Sequence, residues 1–243
     1  MSDNKTGKYL KYAIGEIVLV VIGILIALQI NNWNNHRIEA NREQSILKNL
    51  RSDFNDNIDQ LNGVYDGTKQ SYLASIQLLE IIKADDPINP VEIEKLLNSI
   101  INDFSSLDPS SSSIEELINS GSLNIIKDDK LRERISNWSL LVADSEDDIE
   151  IYYEYMFNIF IPSLSNKTIL RNIGIPNFLM EQVDIPQISS SNYTMDYDKN
   201  IRTLNFENEV YNNAVNIVYV LNNYNQISDY LNDTLELIES NIQ

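Results

Sequence analysis

Two hydrophobic regimes divide the chain. From Tyr12 to Trp33, "YAIGEIVLVVIGILIALQINNW", it is almost wholly apolar, and Ile17 to Leu28 is unbroken. After Trp33 the chain turns polar, "NNHRIEANREQ". Apolar residues then recur every three or four positions, the period of one helix face.

About 20 mostly apolar residues are needed to cross a hydrocarbon core of about 30 Å. Residues 12–33 meet this, with Tyr9 and Tyr12 at one end and Trp33 at the other, where interfacial aromatics lie. A buried soluble helix fits these flanks poorly. A cleaved signal peptide would need a small-x-small site, and the run ends instead in "ALQINNWNNH". The pattern therefore predicts an uncleaved signal anchor over 12–33, behind a short tail over 1–11. Lys5, Lys8 and Lys11 crowd that tail, whereas Arg37 and Arg42 beyond the span are mixed with Glu39 and Glu43. The positive-inside rule then places the N-terminus in the cytoplasm and the body, 34–243, outside the inner membrane in a periplasm.

The body reads as helices. Leu47, Leu50, Phe54, Ile58, Leu61, Tyr65, Tyr72, Ile76 and Leu79 form a stripe that keeps its phase across Gly63 and Gly67. One helix to about Ala84 is predicted. Asn89 as N-cap with Pro90 at the first helical position opens the next, with Ile93, Leu96, Leu97, Ile100, Ile101 and Phe104 on its apolar face. Ser105–Ser113 is a loop. Ser113 and Glu116 have capping-box spacing for a short helix through Asn119, and Gly121 supplies its C-terminal cap. Asp128 or Asp129 caps a long helix striped by Leu131, Ile135, Trp138, Val142, Ser145, Ile149, Tyr152, Met156 and Ile159, which Pro162 is expected to end. Residues 163–200, with Pro176 and Pro186, have no period and read as loop or irregular pieces. From an N-cap at Asn205, the last stripe runs Val210, Ala214, Ile217, Leu221, Tyr224, Ser228, Leu231, Leu235, Ile238 and Ile242, a heptad-like seam. Such stripes must be buried. The expected fold is all-α: a transmembrane helix continuing into a long helix, with an antiparallel bundle outside the membrane. An intermolecular coiled coil is the alternative use of the heptads.

Charge narrows the partners. The chain carries −18 in all. The first 35 residues hold three lysines against Asp3 and Glu16, one net positive charge, so the remainder carries −19. Such a body repels nucleic acid and anionic head groups and suits basic partners, although a solvated acidic surface is its simplest reading. There is no cysteine, which excludes disulfides and thiolate chemistry, and His36 is the sole histidine, which excludes His clusters. No phosphate-binding glycine loop, nucleophile elbow or metal-ligand cluster occurs. No catalytic, cofactor or metal residue is assigned, and no enzyme activity is expected. "DSEDDIE" (Asp144–Glu150) lacks calcium-loop spacing and reads as an exposed helical face. The aromatics Tyr152, Tyr153, Tyr155, Phe157 and Phe160 surround one helix and read as core packing, with a partner face or ligand pocket as the alternative.

Candidate chemistry concentrates in the anchor. Glu16, Val20, Gly23, Ala27, Ile30 and Asn34 fall on one helix face, and Gly23-x-x-x-Ala27 is a small-x-x-x-small pattern that permits close helix approach. Glu16 has three readings. It can snorkel to the cytoplasmic rim, pair with a neighbouring membrane helix, or carry protons. The amides of Gln29, Asn31, Asn32, Asn34 and Asn35 can bond across subunits or simply mark re-entry into water.

"KYLKYAIGEIVLVVIGILIALQINNWN" (Lys8–Asn34) and "IEELINSGSLNIIKDDKLRERISNW" (Ile114–Trp138) together resemble a Bacteroidota-type group of single-span membrane proteins classified only as a domain of unknown function. The resemblance implies an inner-membrane anchor with a helical domain and supplies no activity. The expected function is a non-catalytic membrane-anchored interaction protein, in contact with lipid, that forms a homo-oligomer or joins other inner-membrane proteins. A periplasmic ligand-sensing module and a proton-carrying subunit using Glu16 are the alternatives.

Overall fold

The computed structural model describes the backbone of residues 4–173 and 183–242, with side chains from residue 14 onward. The side chains of Tyr9 and Tyr12, and of Lys5, Lys8 and Lys11, lie outside the described residues, as does Pro176.

The first helix, α1 (Asn4–Lys83), is unbroken over 80 residues and passes straight through Gly63 and Gly67. It is about 120 Å long at 1.5 Å per residue. Near its start an 18-residue window has mean hydropathy 2.3, and none of it is buried within the chain. Beyond Arg42 the same helix enters the bundle. The next helices are α2 (Pro90–Asn102), α3 (Ser112–Asn119), α4 (Asp129–Tyr155), α5 (Tyr197–Ile201) and α6 (Leu204–Asn241). Among the described residues there is no strand, and the fold is all-α.

Direction follows from contacts between elements. α1 runs away from the anchor. α2 and α3 return, since Ser71 of α1 bonds the Ile100 carbonyl and Arg42 bonds Ser122 just past α3. α4 runs outward again, and α6 returns, with Asn213 near Ser75 and Asn241 beside Gln44. The result is an up-down-up-down bundle. Its anchor-distal end is capped by the irregular segment, where Tyr197 donates to Glu94 at 2.7 Å and Asn172 donates to the same carboxylate at 3.0 Å.

Local signals set several boundaries. Asn89 accepts from the Val91 N–H at 3.1 Å and Pro90 occupies the first position of α2. Asp128 caps α4, accepting from the Leu131 N–H at 2.9 Å. That bond holds its carboxyl below the usual carboxylate range. Gly121 takes the left-handed conformation, φ 66°, that a residue without Cβ adopts freely. The expected capping box at Ser113–Glu116 does not form. α3 starts two residues earlier, behind Ser111, and the Ser113 N–H is satisfied by Asp53 of α1 at 3.2 Å. Likewise Thr203, not Asn205, caps α6, accepting from Phe206.

The buried seams differ from the predicted stripes in phase. On α1 the buried line is Glu43, Leu47, Leu50, Phe54, Asn57, Leu61, Val64, Thr68, Ser71, Ser75, Leu78 and Ile82, a strict four-three alternation. Ile58, Tyr65, Tyr72 and Leu79 are only half-buried beside it and Ile76 is exposed. On α6 the expected Val210, Ile217, Tyr224, Leu231 and Ile238 are buried, as is Ala214. Val220, Ile227 and Thr234 complete the seam in place of Leu221, Ser228, Leu235 and Ile242. Most polar members have partners: Thr68 donates to the Val64 carbonyl, Ser75 to the Ser71 carbonyl, and Asn213 to Ser75, although the buried Asn213 amide oxygen has none.

α4 also departs from its expected course. The helix ends where Pro162 predicts, within one residue, at Ser163, but it is not regular up to that point. A π turn over Met156–Phe160 widens it, and helix resumes at Ile161–Ser163. Proline lacks an N–H and its ring crowds the preceding turn, which the wider turn accommodates. The insertion shifts the stripe by one residue, so Phe160 is fully buried and Ile159 is 51% exposed. Val142 is half-buried. The aromatic group splits accordingly: Tyr152 and Phe160 are core, and Phe157 points outward.

Candidate functional site

The apolar N-terminal stretch and the base of the bundle are carried on one helix, because α1 does not break between them. Glu16, Val20, Gly23, Ala27, Ile30 and Asn34 are separated by four and three residues, so they share one face. All are exposed except the half-buried Asn34. A Cβ added at Gly23 would meet nothing within 4 Å in the chain. Gln29, Asn31, Asn32 and Asn35 are exposed as well. At the C-terminal end of the apolar stretch the Arg37 guanidinium lies 5.4 Å from the Trp33 ring centroid, a cation–π contact. From Asn35 to Arg42 the helix stays exposed apart from the half-buried Ala40, so it forms a stalk.

At the top of the stalk the bundle grips α1. Glu43 is 7% exposed. Its carboxylate accepts from the Lys127 N–H at 2.7 Å and lies 3.1 Å from Lys127 Nζ. Gln44 donates to the Asn241 carbonyl, and Asn241 donates to Asp128. Stalk, α4 and α6 are thereby tied at one level. The ammonium of Lys127 is largely exposed, so the ion pair itself is worth little. The buried bond to the backbone N–H is the larger part. Glu43→Gln keeps that acceptor and is expected to cost under about 1 kcal/mol. Glu43→Ala orphans the N–H and is expected to cost about 1.5 kcal/mol. Urea unfolding of the two variants in detergent checks the order.

Sequence spacing offered no hint of this clamp, because its partners are 84 residues apart. Beside it lies a polar cavity of about 260 Å³ lined by Arg42, Ser45, Asn49, Glu116 and Ser120. Arg42 donates to Ser122 at 3.0 Å, and Ser120 donates to the same hydroxyl at 2.8 Å. One cation, one carboxylate and several hydroxyls suit hydrogen bonding to a small zwitterionic solute. The sole histidine, His36, lies on the stalk with its side chain 81% exposed, 3.9 Å from Glu39. Among the described residues no group of three or more His, Asp or Glu could hold a metal ion.

The acidic run Asp144–Glu150 is helical. Ser145 and Ile149 face inward, Asp144, Glu146, Asp147 and Glu150 face out, and Asp148 accepts from Asn223 at 2.7 Å. Tyr155 donates to the Glu209 carbonyl, and burial pushes its phenol up to about 12. Neither group belongs to the anchor or the base.

No curated protein and no solved structure matches the chain. A family of unknown function (DUF6090) matches residues 16–140, just over half of the sequence and all of it from Glu16 through the base of the bundle into α4, and the chain belongs to that family.

Proposed function

We propose that this protein is a non-catalytic, membrane-anchored interaction protein of a bacterial inner membrane, with its N-terminus cytoplasmic and its body periplasmic. Its anchor pairs with a neighbouring membrane helix, in a second copy or in another inner-membrane protein, through Glu16, Val20, Gly23, Ala27, Ile30 and Asn34. One observation carries this reading. From Glu16 to Ile30 the face is free of the protein's own bundle, yet it continues into that bundle on the same helix, α1. Lipid gives helices no hydrophobic reason to associate, so small residues that let backbones approach, and a polar group needing a partner, are the features that select a face. Glu16 supplies the second and Gly23 with Ala27 the first. Pairing there would set the spacing and orientation of the acidic bodies outside.

The absence of cysteine makes the test clean. Single cysteines placed along residues 14–30 of the full chain in native membranes should cross-link strongly at 16, 20, 23 and 27 and weakly at 18, 22 and 25. A flat profile, or none at all, would sink the proposal. The size of the cross-linked species separates a homo-oligomer from a mixed complex.

A ligand-sensing role is the second reading. The polar cavity around Arg42 and Glu116 favours it, because it sits where the bundle grips the stalk. A solute bound there would bear directly on α1. Thermal-shift measurements of the full chain in detergent with free amino acids test it, and no stabilisation by any of them would count against it.

A further inference from the structure

A second surface stands apart from the anchor and the cavity. The π turn in α4 leaves Phe157 61% exposed. Phe157 stacks on Tyr153, with ring centroids 5.8 Å apart and planes inclined by 18°. Tyr153 meets Phe104 edge-on at 5.4 Å, and Phe104 packs on the buried Tyr152. An aromatic ladder thus runs from the core to the surface and is fixed at its inner end. Tyr153 and Phe157, the outer rungs, line a shallow open groove of about 440 Å³ along this helix face together with Glu146, Glu150 and Glu154. The three carboxylates are four residues apart, one above another on the helix. Among the described residues none of them has an ion-pair or hydrogen-bond partner. Neither α4 beyond Arg134 nor any of α6 contains a lysine or arginine.

We infer that this groove docks a basic segment of a partner protein, with arginine or lysine side chains laid over Tyr153 and Phe157 and paired with Glu146, Glu150 and Glu154. The chemistry is complementary in two ways. Aromatic faces attract guanidinium and ammonium groups, and the carboxylates supply both Coulomb attraction and bidentate acceptors. The groove spans about 18 Å from residue 146 to 158 at 1.5 Å per residue, which matches an elongated segment rather than a small enclosed ligand. A second copy does not fit, because the same carboxylates would face each other, and nucleic acid and anionic lipid are repelled. The surface is independent of the anchor, so its fate does not decide the membrane pairing.

The test uses the full chain in uncharged detergent at low salt. The probe is a labelled alanine-based helical peptide carrying arginine at successive i, i+4 positions, followed by anisotropy. The protein should bind it, more weakly as salt rises. The triple change Glu146→Gln, Glu150→Gln, Glu154→Gln should weaken binding about tenfold or more. Phe157→Ala, at an exposed position that leaves the fold intact by circular dichroism, should weaken it about threefold or more. A control triple on α6, Asp229→Asn, Glu236→Gln, Glu239→Gln, removes the same charge elsewhere and should have little effect. Equal loss from the control, indifference to Phe157→Ala, or no binding by the unaltered protein would each overturn the inference.

Discussion

Trp138→Ala is expected to remove about 3–5 kcal/mol of folding stability, against a total of about 5–15 kcal/mol for a typical domain. The reason is position as much as size. Trp138 is fully buried in the lower half of the bundle. Its ring lies 5.6 Å from Phe54 of α1 and 6.2 Å from Tyr230 of α6. Its indole N–H reaches Ser111, at the start of α3, at 3.3 Å. One side chain on α4 therefore touches all three of its neighbours. Tyr230 is itself held from α4, since its hydroxyl donates to the Arg134 carbonyl and the Arg134 guanidinium sits 4.1 Å from its ring centroid. Truncation leaves a cavity that four helices bound and none can fill alone. Trp138→Phe keeps a ring in the site but loses the hydrogen bond and part of the indole's volume, so a smaller loss, about 2 kcal/mol, is expected. Thermal unfolding of the full chain in detergent, followed by circular dichroism, checks both. If Trp138→Ala melted within a degree or two of the parent, the four-helix contact would not be the keystone described.

Much of the architecture was legible in the chain, and the misses share one cause. The apolar helix long enough to cross a membrane, the proline-opened α2, the Asp128 cap and the Gly121 turn each rest on a local chemical requirement that a few residues state outright. Seam phase does not. A stripe read by hydrophobicity selects the largest apolar residue near each expected position, which favoured Tyr65 over Val64 and Tyr72 over Ser71 and carried the shifted phase on to Leu79 instead of Leu78. Small hydroxyl residues are buried instead because each can bond a carbonyl of its own or a neighbouring helix, as Ser71 does with Ile100 at 2.9 Å. The bond from Ser71 is tertiary and leaves no mark in the sequence. The π turn is equally silent: Pro162 announces the end of the helix, and nothing local announces a wider turn just before it. The anchor face is the reverse case. The bundle leaves every side of α1 free between Ile14 and Trp33, so the face named from Glu16, Gly23 and Ala27 rests on residue chemistry alone.

Gly67→Ala and Gly63→Ala are expected to shift stability in opposite directions, although both glycines lie one turn apart in the same helix. At Gly63 an added Cβ meets nothing within 4 Å. Alanine there lowers the backbone entropy lost on folding and should stabilise by about 0.5–1 kcal/mol. At Gly67 the same atom would stand 2.3 Å from the Asp103 carbonyl oxygen. That oxygen belongs to the backbone at the C-terminus of α2, so no side-chain rotation relieves the clash. α2 would have to move off α1, which loosens its neighbour Phe104 and the Ser71–Ile100 bond. A net loss of about 3 kcal/mol is expected, at the upper end of overpacking costs. The pair is a sharper test than either change alone, because propensity predicts the same gain at both sites and only the packing of α2 against Gly67 reverses one of them. Urea midpoints of the two variants should bracket the parent. If both rose, α2 would not approach α1 at Gly67, and the route from the bundle core to the exposed Tyr153–Phe157 ladder through Phe104 would lose its support.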